Sequence, residues 1–238
     1  MICVTFDTDW MEPEWLDRFI AKWMPPGRAT FFQDRKYPGL SSSTHELCPH
    51  PTIGSLENWK NGVARLKDDV APCSEGLRTH SCVFSHAVGV GLREMGFRWI
   101  SQANNQYQPD LLPLRHPWGL WELPIYYMDN MDFWMPRNWP ALDHRPFNPK
   151  LIADALDNDS RLFVFAFHPL HLALNTSRPE DYTDVKHRIL DGKASPFDLR
   201  FPGRGTAAFY EELCDAMAKR NVKSFACSDA LRHFCGDE

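Results

Sequence analysis

Residues 163–175 read FVFAFHPLHLALN. Five apolar residues in a row make a strand buried along its length, and Pro169, which has no N–H to give, ends its ladder. His168 then stands at the mouth of a buried strand, well placed for proton transfer or for a metal. His171, three residues on, either joins that chemistry or braces the loop.

The same pattern recurs outward along the chain. Short apolar runs predict strands at Ile2–Phe6, Ala29–Phe32, Glu46–Cys48, Gly76–Arg78, Arg98–Ile100, Leu120–Ile125, Leu162–Phe167 and Lys223–Ala226. Between them, helical patterns cover Glu14–Trp23, Leu56–Asp69, Ser85–Met95, Lys150–Leu156, Thr206–Lys219 and a last segment from Ser228. Leu56, Trp59, Val63 and Leu66 repeat at the spacing of one helical face. Strands alternating with helices favour a parallel α/β sheet or barrel. No linker, repeat or low-complexity tract interrupts the pattern, so a single domain over residues 1–238 is expected.

Composition narrows the partners. The 238 residues are 43% hydrophobic and 24% charged, with a net charge of −5 and no basic run. Nucleic acid is therefore disfavoured as a partner on charge grounds. No apolar stretch approaches the length of a membrane span, and MICVTFDTDW leads straight into a strand rather than a signal peptide, so a cytoplasmic protein is expected. The seven cysteines are scattered and form no CxxC, which argues against a disulfide framework or a thiolate zinc site.

In α/β folds of this kind the functional groups gather at the C-terminal ends of the strands. Asp7 and Asp9 follow the first strand, His50 the third, Arg78 and His80 the fourth, Asp129 lies beyond Leu120–Ile125, and His168 and His171 follow Phe167. Asp7 and Asp9 are two apart and share a strand face, so an arginine or a divalent cation must offset their mutual repulsion. Alternatively they are turn residues capping a helix near Met11–Glu14. The stretch 114–140, LRHPWGLWELPIYYMDNMDFWMPRNWP, holds four of the nine tryptophans with Tyr126, Tyr127 and Phe133. Such aromatics suit the apolar faces of sugars, and equally the burial of a long loop.

VTFDTD, ATFF, ELCPHP, GLRTHS and FHP, in that order from Ile2 to about Asn175, resemble the motifs of the NodB-homology polysaccharide deacetylases, carbohydrate esterase family 4 and its relatives. The resemblance implies a distorted (β/α) barrel, a divalent metal, usually zinc, and removal of acetyl groups from sugars. By position it implies Asp7 as general base, Asp9 and His50 as metal ligands, Arg78 as the residue orienting the base, and His168 as general acid. Asp129, with Glu122 next, matches the carboxylate that holds the catalytic histidine, and the backbone N–H of Ser81 matches an oxyanion donor. Trp118, Trp121 and Tyr126 are the candidate sugar-binding aromatics.

One position departs from the family. Its second metal histidine stands four residues after the first, where this chain has Gly54. His80, two residues after Arg78 and on the same side of an extended segment, is the expected replacement, with His171 and His45 as alternatives. Asp9, His50 and His80 would leave a position open for water, as catalytic zinc sites do. The expected substrate is a sugar precursor, nucleotide- or lipid-linked, for a surface polysaccharide. A related hydrolase of another C–N bond and a sugar-binding protein without turnover are the competing readings.

Overall fold

A computed structural model describes residues 1–54, 58–134 and 144–236. Its strands are β1 (Ile2–Asp7), β2 (Ala29–Gln33), β3 (Glu46–Pro49), β4 (Gly76–Leu77), β5 (Trp99–Ile100), β6 (Leu114–Arg115), β7 (Trp121–Glu122), β8 (Ile125–Met128) and β9 (Phe163–Phe167). The helices are α1 (Pro13–Lys22), α2 (Trp59–Val70), α3 (His86–Glu94), α4 (Asp129–Trp134), α5 (Lys150–Leu156), α6 (Pro169–Leu174), α7 (Pro179–Leu190), α8 (Thr206–Lys219) and α9 (Cys227–Cys235).

Five strands form a parallel sheet in the order β3-β2-β1-β9-β8, and four more the order β4-β5-β7-β6, in which only β6 runs antiparallel. Hydrogen bonds join the two sheets at both edges. On one side Arg78 N–H donates to Pro49 O and His80 N–H to Pro51 O. On the other, Ile125 N–H donates to Ala103 O and Asn105 N–H to Ile125 O. The ring so closed is the distorted (β/α) barrel that the motifs implied.

Alternation along each strand sorts the side chains. Ile2, Val4 and Phe6 of β1 and Phe163, Phe165 and Phe167 of β9 point outward into the core shared with α1, α6 and α8, where they meet Leu16, Leu172 and Phe209. Cys3, Val164 and Ala166 point inward with Phe32, Cys48, Trp99 and Cys227. A residue that follows a strand with inward parity therefore lands on the barrel rim over the central cavity. Asp7, His50 and His168 obey this rule.

Several expectations change. The Leu120–Ile125 run is two strands, β7 and β8, in different sheets, because the chain leaves one sheet at Leu123 and joins the other at Ile125. Lys223–Ala226 makes one parallel bridge, between Gly27 and Ser224, rather than a strand. Gly27 has a φ of 100°, and a Cβ there would lie 2.4 Å from Ser224 O, so only glycine permits that approach. Pro169 starts the buried helix α6, an allowed place for proline, as well as ending β9. Helix α7 had no counterpart in the sequence pattern. Leu56 and positions 135–140 of the aromatic stretch lie outside the described residues.

Candidate active site

Asp7 closes β1 with inward parity, and its carboxylate is buried against Arg78. Arg78 is fully buried and fully engaged. Its Nη1 donates to Asp7 Oδ1 at 2.7 Å and Thr5 Oγ1 at 3.0 Å, Nε to Ser101 O at 2.7 Å, and Nη2 to Ser101 Oγ at 2.8 Å. The guanidinium also lies 4.2 Å over the ring of Phe32. A charge this well bonded is a fixed partner, so one Asp7 oxygen is held while Oδ2 faces the cavity.

On the neighbouring strand, His168 is clamped by Asp129, which sits at the end of β8. His168 Nδ1–H donates to Asp129 Oδ1 at 2.7 Å, and its backbone N–H to Oδ2 at 2.8 Å. Burial works against the charged imidazole, but the Asp129 carboxylate more than reverses this and pushes the His168 pKa up to about 9. Asp129 is held below the ordinary carboxylate range, since the His168 cation outweighs the cost of its own burial. His168 Nε2 is left pointing at the cavity, 3.9 Å from Asp7 Oδ2. Residues 6 and 167 are register partners, so a base and an acid stand side by side through strand pairing alone. Glu122, the alternative partner, instead accepts from the N–H groups of Gln102 and Ala103.

Asp9, one turn beyond β1, places one oxygen on each of two histidines. Oδ2 lies 3.0 Å from His50 Nε2, and Oδ1 lies 3.0 Å from His80 Nδ1. His80 opens a 3₁₀ turn, His80–Cys82, and not the extended segment expected; its N–H is pinned to Pro51 O at 2.9 Å. One ligand atom each from Asp9, His50 and His80 lie within 4.8 Å of one another, so these three could hold a metal ion.

The donor chemistry fits such an ion. His50 Nδ1–H donates to Arg78 O at 2.8 Å, and a carbonyl can only accept, so Nε2 of the neutral ring carries a lone pair. That lone pair faces a carboxylate, a contact that needs a proton or a cation between the two. Backbone anchoring of the other ring nitrogen is what fixes a metal-binding imidazole. Without an ion the proton takes the place: burial disfavours it, yet Asp7 and Asp9 raise the His50 pKa, and both histidines hold Asp9 well below the carboxylate range despite its burial. At Gly54 a Cβ would meet nothing within 4 Å, so crowding does not exclude a side chain there. His45 accepts from Ala29 N–H at 3.3 Å, at the opposite end of β2 from Asp7's partner Phe32. His171 shares a hydrogen bond with Thr176 Oγ1 and has its pKa lowered to about 4 by burial.

Two cavities open on these groups. The inner one, about 360 Å³, is lined by Asp7, Asp9, His50, His80, Ser81 and His168, with Asn104, Asn130 and Met131. The outer one, about 390 Å³, shares Asp9, His80, Asn130, Met131 and His168 and continues to Trp10, Trp134, Leu170, Tyr182 and Lys186. Ser81 sits in the left-handed region, at φ 57° and ψ 20°, and among the described residues its N–H has no acceptor.

The three expected sugar-binding aromatics are placed elsewhere. Tyr126 is completely buried, edge-on to Phe163 and Phe165, and donates to Leu151 O. A register shift between Ile125 and Tyr127 turns Tyr126 outward into the core, so its ring has no face for a sugar. Trp118 stacks on His116 beside α3, and Trp121 lies under Arg115; neither lines the cavities. The aromatics that do are Trp10, Trp134 and Tyr182, of which only Trp134 belongs to the aromatic stretch 114–140. For Trp10 a signal existed, since it directly follows the DTD motif.

A barrel of this fold also occurs in solved structures. WbmS from Bordetella bronchiseptica, described as a polysaccharide deacetylase involved in O-antigen biosynthesis, matches with a TM-score of 0.71 and 21% identity over 93% of this chain and 90% of that one. One from Mycobacterium smegmatis, also described as a polysaccharide deacetylase, gives 0.56 and 16% over 98% and 89%. The 4-α-glucanotransferase of Thermococcus litoralis gives 0.52 and 12% over 98% of this chain but 38% of its own. These likenesses define the fold class. A family model described as WbmS-like polysaccharide deacetylase matches residues 4–186, and the chain belongs to that family. No curated protein sequence matches it.

Proposed function

We propose that the protein is a zinc-dependent hydrolase that removes an N-acetyl group from a sugar of a surface polysaccharide such as O-antigen. The observation that carries this is the facing pair: an Arg78-held carboxylate and an Asp129-held imidazolium, 3.9 Å apart beside the Asp9–His50–His80 donors. Asp9, His50 and His80 would hold the ion. A divalent ion there supplies Lewis acidity, which polarises the acetyl carbonyl and makes the attacking water easier to deprotonate.

The chain's own residues do the rest. Asp7 Oδ2, with Oδ1 occupied by Arg78, accepts the proton of the attacking water. The Ser81 N–H meets the oxygen that gains charge as the carbonyl becomes tetrahedral. His168 Nε2–H, charged at neutral pH, protonates the departing amine. Amines leave poorly without that proton, so a dedicated acid favours an amide over an ester as substrate. A sugar-binding protein would need neither a held base nor a held acid.

The test is acetate release from acetamido sugars by protein of known zinc content. Release that depends on zinc and disappears in Asp7→Asn supports the reading; release from zinc-free protein, or none from fully loaded protein, counts against it.

A further inference from the structure

The inner cavity is sufficient for the chemistry, yet the groove does not stop there. The outer cavity contains none of Asp7, His50 or Ser81, and its added walls are of a different kind. Trp10 is 47% exposed and Trp134 42% exposed, on separate elements, the loop after β1 and the end of α4. Trp10 also holds a φ of 62°, a conformation unfavourable for a bulky residue that persists where surrounding structure imposes it. Indole faces left in water beside a polar centre suit the apolar faces of sugar rings.

From His168 a series of rings leads outward. His168 to His171 is 5.4 Å between centroids, His171 to Tyr182 is 5.2 Å, and the Lys186 ammonium lies 5.5 Å from the Tyr182 centroid. Trp134 stands edge-on to the same Tyr182 at 6.5 Å. Among the described residues Lys186 is the one lysine or arginine lining either cavity, and it pairs with no carboxylate. At the outer end of an aromatic groove, an uncompensated ammonium is a complementary charge for a ligand anion.

We propose that the outer cavity binds an anionic group joined to the acetylated sugar, with Lys186 as its counter-charge and Trp10, Trp134 and Tyr182 against the ring or linkage that carries it. This rests on the deacetylase reading and names its substrate class: a sugar already linked, through a phosphate or to a uronic acid, when it loses its acetyl group. A glycosyl-phosphate-forming or glycosyl-transfer reaction must then precede this step.

The test is equilibrium binding by calorimetry to zinc-loaded Asp7→Asn protein, so that turnover does not intrude. The probes are N-acetylglucosamine 1-phosphate, an acetamido disaccharide containing a uronic acid, and neutral diacetylchitobiose. One or both anionic probes should bind about tenfold more tightly than the neutral one, and added salt should reduce the difference. Lys186→Ala should abolish that preference while leaving neutral binding intact, and Lys186→Arg should restore it. Which anion is preferred identifies its source, phosphate or carboxylate. Equal binding of all three probes, failure of both anionic probes to bind, or a preference that survives Lys186→Ala overturns the proposal. Acetate release by the wild-type protein, measured alongside, separates the two readings. Release without an anionic preference removes the subsite alone, whereas preference without release removes the deacetylase reading and leaves the subsite standing.

Discussion

Replacing Asp129 by asparagine keeps the shape of the side chain and removes its charge, which tests whether that charge keeps the acid loaded. In the native protein His168 is buried, and burial alone would strip its proton; the Asp129 carboxylate raises its pKa to about 9. That is about 2.5 units above the ordinary imidazole value, or roughly 3 kcal/mol in favour of the charged form. His168 therefore carries its proton below about pH 9 and loses it above. In the Asp129→Asn variant the pKa should fall, because the strongest of the influences that raise it is gone and only Asp7 and Asp9 still oppose burial. A fall to the ordinary imidazole value of about 6.5 would lower the protonated fraction at pH 8 from about nine-tenths to about one-thirtieth, so acetate release from an N-acetyl sugar should fall by up to about 30-fold. At pH 5.5 both proteins keep a charged His168, and the loss from this cause should nearly vanish. The assay is kcat/KM for acetate release between pH 5 and 10, and the expected result is a shift of the alkaline limb towards acid. An amide has one acceptor oxygen, so an N–H of His168 or Asn130 that now bonds Asp129 loses its partner, costing about 1–3 kcal/mol of stability. Thermal unfolding of the variant controls for that. An alkaline limb that stays in place, with a loss equal at every pH, would show that Asp129 only orients the ring.

The remaining predictions concern the other groups on the rim. Asp9→Ala, His50→Ala and His80→Ala should each lose zinc, measured by elemental analysis, while keeping native circular dichroism; full occupancy in His80→Ala would promote His171. His168→Ala should keep zinc and lose about 10²–10⁴-fold on an N-acetyl sugar but far less on an aryl acetate, whose phenolate leaves unaided. Equal losses on the two substrates would make His168 a positioning group. Arg78→Met leaves the Asp7 carboxylate buried without its cation and should cost about 3–5 kcal/mol in denaturant unfolding; a change under about 1 kcal/mol would mean that water replaces the guanidinium.

Much of the site was legible because it follows from local parity. Asp7, His50 and His168 each come directly after an apolar strand, and side chains alternate along a strand whatever it packs against, so their inward direction is set before the barrel closes. The resemblance of VTFDTD, ELCPHP, GLRTHS and FHP to one family supplied roles for those positions, and the 4–186 family match covers them all. The three donors of Asp9, His50 and His80 do lie together, although His80 arrives by a 3₁₀ turn after a two-residue strand rather than by strand alternation.

Other features depended on contacts distant in sequence. Tyr126, expected as a sugar-binding aromatic, is turned outward by a bulge at Ile125–Tyr127, and a bulge is decided by the partner strand β9. The split of Leu120–Ile125 between two sheets depends likewise on β5 and β9, which compete for adjacent residues of one apolar run. The outer cavity draws on the loop after β1, the His80 turn, α4, α6 and α7, five segments up to 177 positions apart, and its added walls Trp10, Trp134, Tyr182 and Lys186 carry no shared motif. Alternation and strand ends belong to the sequence because each is a property of a few consecutive residues. The bulge and the aromatic groove belong to the tertiary structure, because each exists only where separate segments pack.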